Sequence, residues 1–219
     1  MKKWMTVPVL LAFWIPSFAQ LEQGQHMLGA RIGLGFQLQN SGITYTQYGD
    51  RVDWGSTGVD YGLSYYYLWS KHVGVGADIS YGNFEGGGFF ISSDKVDDKT
   101  KLFNTMLSVR LTANPSNRVR LYIPVGAGVS VAHQNMNIHR SGVNFSGKAT
   151  DASFAWFAGA GLEFDIGRKS GWSAGLETRY NAFRFDTDKL IRNAPAAVTG
   201  DGNRLLSYIS LQLRVNKRF

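Results

Sequence analysis

The sequence predicts an all-β fold: one eight-stranded antiparallel up-and-down β-barrel that crosses a membrane on its strands. Three observations predict it. Hydrophobicity alternates with a period of two in eight separate segments, one parity of those segments carries no charge, and the connections alternate strictly between short and long. A half-buried strand shows its two faces as alternate residues, so the period identifies strands. Freedom from charge on one face is what contact with lipid tails demands, because a charge there costs about 2–4 kcal/mol at the bilayer midplane.

The eight segments span residues 27–37, 59–69, 73–82, 103–113, 119–131, 153–166, 172–183 and 205–219. Each is about ten residues or longer, the length of a tilted strand that crosses a bilayer. The apolar parity reads Leu28, Ala30, Ile32, Leu34 and Phe36 in the first segment and Val73, Val75, Ala77, Ile79 and Tyr81 in the third. It reads Phe154, Trp156, Ala158, Ala160, Leu162, Phe164 and Ile166 in the sixth. The other parity is built from glycine, serine and charge. Alternation alone does not say which face points inward; the connections do. Residues 70–72, 114–118 and 167–171 form tight turns, whereas the connections near 39–57, 84–101, 134–151 and 186–203 each run to about eighteen residues. Short turns on one side and long loops on the other are the pattern of an outer-membrane barrel, with the long loops outside. Aromatic residues gather at the segment ends, Trp69, Phe164 and Trp172 by the short turns and Tyr81, Phe154 and Trp156 by the long loops, as an interfacial girdle does. Pro124 falls inside the fifth segment, where it removes a ladder hydrogen bond, so a bulge or a weakened ladder is expected there.

The first residues prepare export. Lys2 and Lys3 precede an apolar stretch, and Ser17-Phe18-Ala19 is a small-x-small cleavage signal, so residues 1–19 read as a signal peptide and residues 20–219 as a single barrel domain. The longest apolar run thereafter, 154–162, is nine residues with two glycines, too short for a helical span. The composition is 18 % charged and 14 % aromatic with 26 glycines, which excludes a disordered chain. Losing Lys2 and Lys3 lowers the formal charge from +7 to about +5. The remaining cations are scattered, so no nucleic-acid partner is expected. There is no cysteine, no G-x-x-x-x-G-K loop and no metal-ligand spacing, so neither cofactor nor metal is expected.

The chain closes on Leu205-Leu206-Ser207-Tyr208-Ile209-Ser210-Leu211-Gln212-Leu213-Arg214-Val215-Asn216-Lys217-Arg218-Phe219. With Tyr122-Ile123-Pro124-Val125-Gly126-Ala127-Gly128, this final alternating strand resembles the small bacterial outer-membrane β-barrel domain family, the OmpA/OmpX-like eight-stranded barrels, in a Bacteroidota-type form. The resemblance implies an outer-membrane location, contact with outer-membrane lipid and lipopolysaccharide, and an assembly signal at Phe219 that the barrel-assembly machinery reads.

The charged residues of the inward parity form the main candidate site: Arg31, Asp60, Asp78, Arg110, Arg120, Glu163, Asp165, Glu177, Arg179 and Arg214, five acids facing five bases. An eight-stranded interior is just wide enough for side chains, and buried charges need partners, so a salt-bridged plug is expected. Strand direction places Arg31, Arg110, Arg120, Glu163, Asp165 and Arg214 toward the short-turn end, and Asp78, Glu177 and Arg179 nearer the middle. A narrow gated path or proton relay is the alternative reading of the same residues. A lipid A-modifying enzyme is a second alternative, which would need histidine with serine and a carboxylate. His26 and His72 sit by the short-turn side, and His133 and His139 at or beyond the outer end of the fifth segment. None falls in a Phe-His-x-Ser run, so no catalytic residue is assigned. The second long loop carries Gly86-Gly87-Gly88 with Phe89, Phe90 and Ile91, then Asp94, Lys95, Asp97, Asp98 and Lys99, a tip suited to an extracellular ligand or to a hairpin raised above the membrane. Lys71, Arg118, Arg168, Lys169, Lys217 and Arg218 leave the short-turn side basic and able to hold headgroups. The sequence thus predicts a non-enzymatic barrel with a structural or surface-interaction role, adhesion or partner binding, carried by its four long loops.

Overall fold

In the computed structural model, residues 21–38, 40–45, 50–53, 57–89, 95–140, 143–166, 171–196 and 198–219 are described. The signal peptide, Phe90, Ile91 and Asp94 of the second loop, and Arg168 and Lys169 of the third turn lie outside them. The elements are β1 (His26–Gln37), β2 (Asn40–Tyr45), β3 (Asp50–Asp53), β4 (Thr57–Leu68), β5 (Val73–Phe89), β6 (Lys95–Thr112), β7 (Val119–Arg140), β8 (Val143–Ile166), β9 (Trp172–Asp186), α1 (Thr187–Ile191), β10 (Val198–Gly200) and β11 (Asn203–Arg218). Eight of them, in the order β1-β11-β9-β8-β7-β6-β5-β4, close an antiparallel barrel. The fold class and the strand count are as the sequence predicts.

Closure is made by β1 against β11, in register from Met27↔Arg218 to Gln37↔Tyr208. Beyond the ladder, Phe219 N–H donates to the His26 carbonyl at 2.9 Å, so the start of β1 meets the end of β11 at the short-turn side. The apolar parity faces outward as expected. Ile32, Leu34, Leu63, Leu107, Ile123, Leu211 and Leu213 are all exposed, Leu107 to 77 %. In water this surface would be a severe liability; against lipid it is the required one. Trp69, Phe164 and Trp172 are exposed at the strand ends by the short turns, where the girdle was expected, and Phe154 is exposed midway along β8. Pro124 produces no bulge. The ladder between β7 and β8 skips Ile123 and Pro124, then resumes at Val125↔Ala158 in unchanged register.

The strands of the middle hairpins are far longer than the sequence segments. β5 continues beyond residue 82 to Phe89, and β6 starts at Lys95 rather than at residue 103. β7 continues beyond residue 131 to Arg140, and β8 starts at Val143 rather than at residue 153. Among the described residues, two of the four long connections are therefore β-structure. The physical reason lies in the chemistry of the two faces. Above the girdle the outward positions turn polar (Lys99, Lys101, His133, Asn135, Lys148, Thr150), and the inward ones turn apolar (Phe84, Leu102, Ala132, Met136, Ile138, Phe145, Ala149). The period of two persists while the hydrophobicity changes sides.

The other two long connections cap the barrel. β2 pairs with β3 and with β10 in a three-stranded sheet, which joins the first loop to the last. Ile43 of β2, Val198 of β10 and Leu190 of α1 enter one apolar cluster with Phe84, Leu102, Met136, Phe145, Phe183, Phe185, Leu206 and Tyr208. Helix α1 is short and capped by Asp186, whose carboxylate accepts the Asp188 amide. It is tied to β8 by Lys189 Nζ donating to Asp151 at 2.6 Å, a carboxylate that holds the Lys189 ammonium above its ordinary value.

If the outward face meets lipid, Leu107→Arg is expected to lower folding stability in phospholipid vesicles by about 2–4 kcal/mol. The same change at an exposed site in water costs within about 0.5 kcal/mol. Denaturant titration followed by heat-modifiable gel mobility measures the difference.

Candidate functional site

All ten predicted interior residues are buried inside the barrel, one or two from each of its strands: Arg31 on β1, Asp60 on β4, Asp78 on β5, Arg110 on β6, Arg120 on β7, Glu163 and Asp165 on β8, Glu177 and Arg179 on β9, and Arg214 on β11. Nine of them form two linked groups. In the first, Arg31 grips Asp78 with both guanidinium ends, at 2.7 and 2.6 Å. Arg179 reaches the same carboxylate at 3.1 Å and also pairs with Glu177. Arg214 donates to Glu177 at 2.8 Å, as does the Tyr122 hydroxyl at 2.8 Å. In the second, nearer the short turns, Glu163 accepts from Arg110 at 2.8 Å and from Arg120 at 2.7 Å. Arg120 also holds Asp165, with one contact at 2.7 Å. Asn216 joins the groups, accepting from Arg214 Nε at 2.7 Å and donating to Glu163 at 2.6 Å.

Half of these contacts join strands that are not neighbours. β1 reaches β5 through Arg31 and Asp78, and β6 reaches β8 through Arg110 and Glu163. Bidentate arginine–carboxylate geometry supplies the strength that buried ions need to offset desolvation. Absent side chains make room: a Cβ at Gly62 would lie 2.7 Å from Arg31 Nη2, and one at Gly161 would overlap the Tyr122 ring. Aromatic rings complete the packing. The Arg110 guanidinium lies 3.7 Å from the Tyr122 ring centre, and that of Arg179 lies 4.1 Å from the Phe157 centre.

The structure departs from the sequence expectation at three points. Arg31 and Arg214 belong to the middle group rather than to the short-turn end, because their guanidinium groups extend to Asp78 and Glu177. Asp60 has no ion-pair partner among the described residues; it accepts from Gln212 Nε2 at 3.0 Å and Tyr208 O–H at 3.3 Å, and its Oδ1 is unbonded. And Arg218 is no headgroup anchor. It turns inward and pairs with Asp165 at 2.5 Å, a sixth base in the network. Its parity with Arg214 and Asn216 carried that signal. Its neighbour Lys217 does stay outside, 5.2 Å from the centre of the Trp172 ring. Sequence reasoning also missed Tyr66, Tyr122 and Phe157, which share the inward parity with the charges.

Arg110, Arg120, Arg179 and Arg214 are fully buried, each less than 2 % accessible. A water-filled lumen at their level would expose them, so side chains fill the cross-section there. Among the described residues no cluster of histidine and carboxylate could hold a metal ion. The four histidines all lie apart from this interior. Their Nδ1 atoms meet the Tyr65 hydroxyl for His26, the Thr112 carbonyl for His72, the Thr150 hydroxyl for His133 and the Asn144 amide oxygen for His139.

These features define a membrane-spanning barrel with a filled interior, and comparison with known proteins places it. The chain belongs to the outer membrane protein beta-barrel domain family, whose model matches residues 5–219. It is an outer-membrane protein. Among solved structures it is similar in fold to the outer membrane protein OprG from Pseudomonas aeruginosa, at 13 % identity and a TM-score of 0.58, covering 92 % of this chain and 98 % of that one. Neisserial surface protein A matches at 11 % identity and a TM-score of 0.49, over 90 % and 98 % of the two chains. Ail, the attachment invasion locus protein of Yersinia pestis, solved with the heparin analogue sucrose octasulfate, matches at 15 % and 0.47, over 90 % and 99 %. No curated protein matches the sequence.

Asp78→Asn removes the one carboxylate shared by Arg31 and Arg179, and breaking a buried pair costs about 3–5 kcal/mol. Asp60→Asn removes a carboxylate without an ion-pair partner and is expected to be near neutral or stabilising. Urea midpoints of the two variants in the same vesicles test the ordering, and equal losses would refute it.

Proposed function

We propose that this barrel is a non-enzymatic surface-interaction protein whose working part is the sheet raised above the membrane. The observation that carries the reading is the distribution of order. The lumen is occupied by paired charges in its lower part and by the apolar cluster above them. The four central strands, by contrast, continue outward as a continuous sheet with a polar outer face. That sheet also offers an edge. β8 pairs with β9 only from Ala155↔Phe183 downward, so among the described residues its segment 143–154 has no strand partner on that side. Helix α1 leans on part of this edge, with Lys189 on Asp151 and Leu190 beside Gly147, and the remainder presents N–H and C=O groups to which an extended segment of another chain can add.

The filled interior supports a plug over a gated pore, and the neutral partners of the four histidines support a non-enzymatic reading over a lipid A-modifying one. The C-terminal strand ending at Phe219, which is exposed beside the seam, is the segment proposed to be read by the barrel-assembly machinery. Residues 1–19 are proposed to direct export.

Glu85 and Lys99 face each other in the β5–β6 register. Replacing residues 86–98 by Asn-Gly between them shortens the hairpin at a matched point. The expected result is normal membrane insertion with loss of adhesion to host cells or matrix. Retained adhesion would reject the role assigned to the sheet. In planar bilayers the unaltered protein is expected to show no steady conductance, and an open-channel record would favour the pore.

A further inference from the structure

We propose that the outward wall formed by β5 to β8 binds one phosphate-bearing lipid of the outer leaflet, with the headgroup at Lys101 and Lys148 and an acyl chain in a groove below. This goes beyond the adhesive reading and is independent of it. The groove is an apolar depression of about 500 Å³ on the lipid-facing wall, lined by Val75, Leu107, Val125, Ala127, Trp156 and Ala158 among others. Its form follows from the register. Leu107, Ala127 and Trp156 share one rung, and Val125 pairs with Ala158 on another two positions away. Ala127 thus lies between Leu107 and Trp156, and Ala158 follows Trp156 two positions along β8, in a wall whose other outward positions are mostly bulky.

The same strands carry cations nearer their outer ends. Lys101 and His133 share a rung, as do Lys99, Asn135 and Lys148. Lys99 is bound to Glu85, whose carboxyl it holds below its usual range. Lys101 and Lys148 are exposed and make no ion pair among the described residues, and Asp97 is the other acid of this outward face. Lys101 stands one outward position above the girdle residue Phe103. Depth fits as well. Six residues separate Lys101 from Leu107, roughly 20 Å along a strand. At the usual barrel tilt this is roughly 15 Å of depth, half of a bilayer's hydrocarbon core. A headgroup held at Lys101 therefore sets the end of its chain at the depth of the groove. Charge above, an apolar recess below and this spacing commit the site to a two-part amphiphile.

The test uses the full chain folded in detergent, with diphosphoryl lipid A as the probe, and reads the retained lipid by native mass spectrometry. Monophosphoryl lipid A, with the same acyl chains, separates headgroup charge from greasiness. One lipid per barrel is expected, held more weakly in the monophosphoryl form. Lys101→Gln with Lys148→Gln is expected to weaken retention roughly tenfold or more. Ala158→Leu, which fills the groove without touching a charge, is expected to lower retention too. Heat-modifiable mobility verifies that both variants are folded. Unchanged retention in the lysine variant, unchanged retention in the leucine variant, or equal binding of the two lipid A forms would each overturn the proposal.

Discussion

Everything in this molecule depends on closing the backbone ladder between β1 and β11. A strand edge inside lipid would leave its amides and carbonyls without partners, and no water is there to take their place. Closure at eight strands fixes the width of the interior, and the width decides what fills it. Eight strands leave room for side chains and little more. The lumen is then a protein core in which charges must meet one another. Arg31 with Asp78, Arg110 with Glu163 and Arg179 with Asp78 span the space that closure creates. The network follows from the barrel's geometry and in turn ties together strands that share no hydrogen bonds.

The wall changes solvent along its length, and the sequence changes with it. Below the girdle the lipid accepts only apolar side chains outside, so polarity is sent inward. Above the girdle water lies outside, and the same strands invert, with Phe84, Leu102 and Met136 inward and Lys99, Lys101 and Asn135 outward. One continuous sheet thus serves as a membrane span and, higher up, as the wall of an ordinary water-soluble core roofed by β2, β3, β10 and α1.

That inversion explains what was legible in the sequence. The membrane zone was legible because lipid imposes a one-sided rule on each strand, and Leu107 or Ile32 obey it visibly. The extensions of β5 to β8 were not, since a reading that follows an apolar parity stops where that parity turns polar, at Asn83, Lys101, His133 and Thr150. The alternation itself continued there. Membership of the interior network was legible from parity, whereas its pairings were not: Arg31 finds Asp78 across the lumen, 47 positions away in the chain. Arg218 was misplaced because it stands beside Lys217 and Phe219 at what reads as a basic tail, although its parity matched Arg214. The capping sheet left no trace, since its three strands are short and pair between the first loop and the last.

The seam between β1 and β11 joins the first strand to be synthesised to the last, and it is fastened at both ends. The terminal amide of Phe219 closes it on one side of the membrane, and on the other β2 and β10, from the loops that flank those two strands, pair above it. The last strand also brings Arg214 and Arg218 to carboxylates waiting on β9 and β8. Until it arrives, Asp165 and Glu177 each lack one of their cations, and the sheet has two raw edges. Contacts of such long sequence separation form slowly. The closing strand therefore completes both the ladder and the interior ion pairs at once.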